Sequence, residues 1–148
     1  MDNTSKPILV YITGYDLHHA SKSLKQRIDY LAEYLVSVKK VRILHPIVVE
    51  KSFYTDIQKN KIELIKSAGL IIAECTYHSI DLGMDLGAAI YGYQKPVLAI
   101  ARADAKSIAP SVIGASCEDN PNVTFRKYGS DPELWGICSQ KIDQIRYS

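Results

Sequence analysis

Residues Leu70 to Tyr91 read LIIAECTYHSIDLGMDLGAAIY. Leu70 to Ala73 is an unbroken apolar run, short enough for a strand and without the alternation of a half-exposed one. Such runs are typical of strands buried on both faces of a parallel sheet. Glu74 closes the strand. A polar loop with Ser79 and Asp81 follows, and Gly83 is expected to open a helix with Asp85 in its first turn. In that helix Leu86, Ala89, Ile90 and Tyr93 share one face over Met84 to Tyr93. Strand, polar loop, helix: this is how a parallel α/β sheet builds a ligand site beyond the carboxyl ends of its strands.

The same alternation runs outward in both directions. Pro7 to Gly14 (PILVYITG) is a second buried strand ending in glycine. A capping box, Ser23 with Gln26, opens a helix to about Val38, with Leu24, Ile28, Leu31, Leu35 and Val38 on one face. Val41 to His45 is a short strand stopped by Pro46. Thr55 with Gln58 opens the next helix, which carries Ile57, Ile62, Ile65 and Ala68 and ends near Gly69. Downstream, Pro96 to Ala101 and Asn122 to Arg126 read as strands. Asp131, Pro132 and Glu133 start the last helix, with proline early, where a helix tolerates it. Residues 1–148 are therefore expected to form one α/β domain with a mostly parallel five-stranded sheet.

The composition excludes several classes. At 148 residues, 47% hydrophobic and 23% charged, the chain is long enough for a normal core and polar enough for solubility. A net charge of +2 is too small to argue for a nucleic acid polymer or an anionic membrane. No apolar stretch approaches the roughly 20 residues of a membrane span. The opening MDNTSKP lacks the layout of a signal peptide. The three cysteines, Cys75, Cys117 and Cys138, are irregularly spaced and form no CxxC. Neither a disulfide framework nor a zinc site is indicated, and a cytoplasmic location is expected.

The first turn, GYDLHHAS, has no GxGxxG, and no GxxxxGK[ST] occurs, so no dinucleotide or P-loop cofactor is expected. The histidines and carboxylates of the strand ends lack metal-ligand spacing, so no metal is expected either. What remains is a rim of carboxylates and hydroxyls: Thr13, Gly14 and Tyr15; His45; Glu74, Thr76, His78, Ser79, Asp81 and Asp85; Arg102 and Asp104. Asp85 in a first helical turn would be kept ionised by free N–H groups and the helix dipole, by about 0.3–1 kcal/mol. It is either a nucleophile or a plain helix-starting aspartate. Glu74 either bonds loop amides or takes part in chemistry. Ser79 either contacts a phosphate or caps a turn, and Tyr11 either packs or helps the site.

Glu74-Cys75-Thr76, Ser79 and Asp81-Leu82-Gly83-Met84-Asp85-Leu86-Gly87-Ala88-Ala89 together resemble the nucleoside 2-deoxyribosyltransferase family. That family includes the 2'-deoxynucleoside 5'-phosphate N-hydrolases. Its pattern is a strand ending in AE(V)(T/S), a serine, then G-(M/Y)-E-(L/I)-G-x-A. Tyr11-Ile12-Thr13-Gly14 is similar to its opening strand, and the likeness extends from about Ile8 to Asn120. The resemblance implies a flavodoxin-like three-layer sandwich and cleavage of the N-glycosidic bond of (deoxy)nucleosides or their 5'-monophosphates. A carboxylate nucleophile would attack the sugar, with transfer to another base or to water. By position it implies Asp85 as nucleophile and Tyr11 as its helper. Gly14, Tyr15, Glu74, Ser79, Gly83 and Lys61 would be substrate contacts. It further implies a homodimer or larger homo-oligomer, with Ala109 to Asn120 reaching across the interface. Asp85 stands where the family has glutamate, Lys61 where it has a sugar-binding aspartate, and Tyr15 and Leu17 near its serine and arginine. These departures define an alternative: a catalytically impaired nucleotide-binding protein on the same fold.

Overall fold

The computed structural model describes residues 7–14, 22–44, 54–77, 79–105 and 120–148; for 54–58 only the backbone is described. Tyr15, His18, His19, His45, His78, Cys117 and almost all of Ala109 to Asn120 lie outside the described residues. The elements run β1 (Leu9–Thr13), α1 (Lys22–Lys39), β2 (Arg42–Leu44), α2 (Tyr54–Ser67), β3 (Leu70–Glu74) and α3 (Ile80–Gly87). A π-helical turn (Ala88–Gly92), β4 (Val97–Arg102), β5 (Val123–Tyr128) and α4 (Asp131–Arg146) complete them. Every strand pairing is parallel, and the order is β2-β1-β3-β4-β5. This is the flavodoxin-like order, whose crevice opens between β1 and β3, where successive crossovers diverge to opposite edges. The sheet expected to be mostly parallel is wholly so.

Side chains alternate along a strand, so each strand of this sheet serves two cores. Val10, Ile12, Leu70, Ile72, Leu98 and Ile100 face α1 and α4, where Leu31, Leu35, Leu134 and Ile142 meet them. Tyr11, Ile71, Ala73, Val97 and Ala99 face the other way, onto Ile65 of α2, Leu82 and Leu86 of α3 and Ile90 of the π-helical turn. All of β3 is buried, as expected of the central strand of a three-layer sandwich.

Three boundaries differ from the sequence reading. Helix α1 begins at Lys22, which puts Ser23 inside the helix rather than at its cap. Helix α2 likewise begins at Tyr54, before Thr55. Helix α3 starts at Ile80, not at Gly83, because Ser79 caps it. Ser79 has extended backbone (φ −151°, ψ 153°), and its Oγ accepts the Leu82 N–H at 3.0 Å. Gly83 is thus an interior residue despite its helix cost, and Asp85 lies in the second turn. The strong local cap outweighs the glycine as a boundary signal.

Leu31 has no exposed surface in the α1–α4 core. Leu31→Ala should lower unfolding free energy by about 2–5 kcal/mol. In urea titrations this should appear as a lower midpoint with an unchanged slope.

Candidate active site

Helix α3 turns Leu82, Asp85 and Leu86 inward and leaves Ile80, Gly83 and Met84 outward. Asp85 is therefore a carboxylate on an apolar face, only 3% exposed. It is supported from two neighbouring elements. Thr13, the last residue of β1, donates its hydroxyl to Asp85 Oδ2 at 2.6 Å. Lys61 of α2 brings its ammonium to 3.9 Å from the same oxygen. Burial pushes the Asp85 carboxyl above its ordinary range, and Asp81 adds to this. The Thr13 hydrogen bond and the Lys61 charge pull the other way. The expected dipole-stabilised aspartate is thus corrected. Asp85 sits a turn too deep for the free N–H groups, and its environment is dominated by desolvation.

Glu74 closes β3, but it belongs to the other face. Thr13 is in register with Ala73, so Glu74 points opposite to Thr13, toward α1 and α4. It is fully buried. Its Oε1 accepts the Thr76 N–H and its Oε2 accepts the Tyr128 hydroxyl, both at 2.6 Å. The Arg27 guanidinium lies 5.7 Å from the Tyr128 ring centroid and pairs with Asp131 at 2.8 Å. Burial raises the Glu74 carboxyl, while its hydrogen bonds and the Arg27 charge oppose the shift. This is a closed polar network joining β3, β5, α1 and α4. It is the loop-amide reading of Glu74, and the substrate-contact reading is corrected: the residue is on the far side of the sheet from Asp85.

The remaining candidates divide similarly. Tyr11 is buried on the same face of β1 as Thr13, within the α2–α3 core. Gly14 has φ +97°, and a Cβ there would lie 2.1 Å from the Glu74 carbonyl oxygen. Its glycine is required by the backbone of β3. Ser79 caps α3, and Gly83 is exposed on the face of α3 away from Asp85. Neither Gly83 nor Gly87 has a described neighbour beyond its own helix backbone within 4 Å of an added Cβ. Burial, with Glu74 beside it, pushes the Cys75 thiol up to about 12, a protonated and unreactive state. Tyr128 is the functional partner that sequence reasoning missed. Thr13 figures there only as part of the rim, and the period of two, applied to β1 and β3 in register, is the signal that turns it toward Asp85.

Among the described residues, no group of three His, Cys, Asp or Glu side chains gathers as a metal site. None of the described helices is long and apolar enough to cross a membrane. A wide surface depression of about 480 Å³, lined by Tyr34 and Trp135, lies between α1 and α4 on the face away from Asp85.

No family model matches the sequence, and no curated protein matches it. Solved structures do match the fold. The CMP N-glycosidase BcmB of Clostridium botulinum superposes with a TM-score of 0.68 at 16% identity, covering 89% of this chain and 98% of that one. The 2-desoxiribosyltransferase from Leishmania mexicana gives 0.59 at 16% identity, covering 90% and 98%. The Francisella novicida lysine decarboxylase LdcF gives 0.55 at 11% identity, covering 93% of this chain but 17% of that one. The chain therefore has a flavodoxin-like α/β fold, and the first two likenesses take in nearly the whole of both partners.

Tyr128→Phe removes a donor from a buried carboxylate and should destabilise by about 1–3 kcal/mol. The hydrogen bond holds the Glu74 carboxyl down, so losing it raises that carboxyl further. The penalty applies when Glu74 is ionised. The loss should therefore be larger at pH 8 than at pH 5, read from urea midpoints at both.

Proposed function

We propose that this protein cleaves the N-glycosidic bond of (deoxy)nucleosides or their 5'-monophosphates, with Asp85 as nucleophile. The observation that carries this reading is the buried Asp85 carboxylate at the β1/β3 crevice, with Thr13 and Lys61 both on Oδ2. A carboxylate withdrawn from water and fixed by a hydroxyl is suited to covalent catalysis. The fold it shares with an N-glycosidase and a deoxyribosyltransferase supports the same class.

In the proposed reaction an Asp85 oxygen attacks the anomeric carbon. The carbon–nitrogen bond breaks, its electron pair stays on the base, and the base takes up a proton. Water or a second base then attacks the same carbon, releasing the sugar from the ester and restoring the carboxylate. Tyr11, below Thr13 on the same strand face, would hold the site's shape around that carboxylate. Ser79 would meet the sugar or phosphate with its hydroxyl hydrogen, since its oxygen accepts from Leu82.

One observation favours the alternative of a binding protein that has lost the chemistry. Asp85 is one methylene shorter than the family's glutamate, and its Oδ2 already accepts the Thr13 hydroxyl. Chromatography of a panel of nucleosides and 5'-monophosphates, with and without an acceptor base, separates the two. Base release is expected, and Asp85→Asn should reduce it by about 10³-fold or more. A panel that yields no free base, but in which a monophosphate raises the melting temperature, would leave the binding reading in its place.

The assembly proposed is a homodimer. Ile80, Met84 and Tyr91 follow one another along the outer side of α3 and its π turn, at 84%, 52% and 74% exposure. An apolar stripe of this kind, backed by the site helix, suits a second copy. A cytoplasmic location fits the buried, unpaired Cys75 and Cys138. Light scattering should give twice the monomer mass for the native protein and the monomer mass for Met84→Lys/Tyr91→Lys.

A further inference from the structure

We infer that Lys61 is a positioning residue, a counterion supplied by α2 that keeps Asp85 ionised in its buried seat, rather than a contact to substrate. The kinetic part rests on the reading of Asp85 as nucleophile; the electrostatic part does not.

The argument begins with the placement of Lys61. Lys61 and Ile65 fall on one face of α2 by helical spacing, and Ile65, with Ala68 just past the helix end, is buried in the α2–α3 core. The Lys61 side chain is 20% exposed, so its stem follows that core while its ammonium reaches Asp85. An unpaired carboxylate in such a place is costly and tends to take up a proton instead. The groups facing it must supply the compensation. From β1 comes the Thr13 hydroxyl, which is neutral, with Tyr11 further down the same face. Just after β3 comes Cys75, a thiol held protonated in the same α2–α3 core. From α3 itself comes Asp81, one turn earlier, whose like charge works against ionisation. Lys61 is the one cation among these described groups.

Its distance is also informative. At 3.9 Å the ammonium acts on Asp85 through charge rather than through a short hydrogen bond. Thr13 holds Oδ2 directionally, while Lys61 favours the anion without fixing a further lone pair. A nucleophile benefits from this division, because a carboxylate tightly bonded by several donors is stabilised but less available. The lysine where the resembling family has aspartate is thereby explained by a partner within the chain.

The test uses Lys61→Met, which keeps the stem and removes the charge, and Lys61→Arg, which restores it. The Asp85 carboxyl is titrated by carbon-13 NMR, with its signal assigned from Asp85→Asn. Lys61→Met should move the Asp85 midpoint to higher pH, and Lys61→Arg should bring it back. In base-release assays, Lys61→Met should lower kcat/KM about tenfold at the acidic end and less than twofold on the alkaline plateau. An unmoved Asp85 midpoint in Lys61→Met would overturn the inference, as would a pH-independent rise in KM, the mark of a substrate contact. If Lys61→Met does not fold, Lys61→Gln is used in the same titration. If the midpoint moves but the native protein releases no base, the counterion stands and the proposed reaction fails.

Discussion

A carboxylate taken out of water must be given partners or a proton. Among the described residues two are buried, Glu74 and Asp85, close together in sequence and on opposite sides of one sheet. Much of the local architecture follows from serving both. Glu74 draws the last residue of β5 and the first turn of β3's loop onto itself through Tyr128 and Thr76. Thr76 in turn accepts the Arg102 N–H, fastening the end of β4 to the same point. Gly14 seats the end of β1 on the Glu74 backbone. The strand ends are locked from the α1–α4 side, so that the α2–α3 side can hold a more sparsely supported group.

The two environments differ in kind. Around Glu74 each oxygen has a short hydrogen bond, and the charge of Arg27 is at one remove. Around Asp85 one hydroxyl and one distant ammonium address a single oxygen. The first arrangement consumes the carboxylate's bonding capacity and stiffens the sheet. The second, among the described residues, gathers its support on Oδ2 at the topological switch point, where α/β sheets take their ligands. A carboxylate whose ordinary range is shifted by burial and specific neighbours is a common mark of a functional site.

Much of this was legible in the residues. The apolar runs at Leu9, Leu70 and Val97 announced buried parallel strands, and the stripe Leu24, Ile28, Leu31, Leu35 announced α1 with its buried face. Asp85 stood out as a carboxylate in what read as the first turn of a helix, although the structure puts it one turn deeper. The errors have local causes. Glycine at 83 looked like a helix start because the cap at Ser79 carries no glutamate three residues on. Glu74 was grouped with Asp85 because adjacency in sequence was weighed above the two-residue period of the strand. The partners Thr13, Lys61 and Tyr128 come from three other elements, and only strand register and helix packing bring them in.

Thr13 and Asp85 are separated by 72 positions, and Lys61 comes from between them. β1 cannot pair with β3 until α1, β2 and α2 have been laid down. A chain leaving the ribosome N-terminal end first therefore carries Thr13 through 72 further residues of synthesis, and Lys61 through fewer, before Asp85 exists to gather around. Loop-closure entropy delays parallel pairings of this separation relative to local helices. The helices can form early, but the crevice comes into being only after α3 emerges and closes onto β1. Its assembly is a late event in the life of the chain, and a truncated or stalled product ending before Asp85 carries the scaffold's beginnings without any of its chemistry.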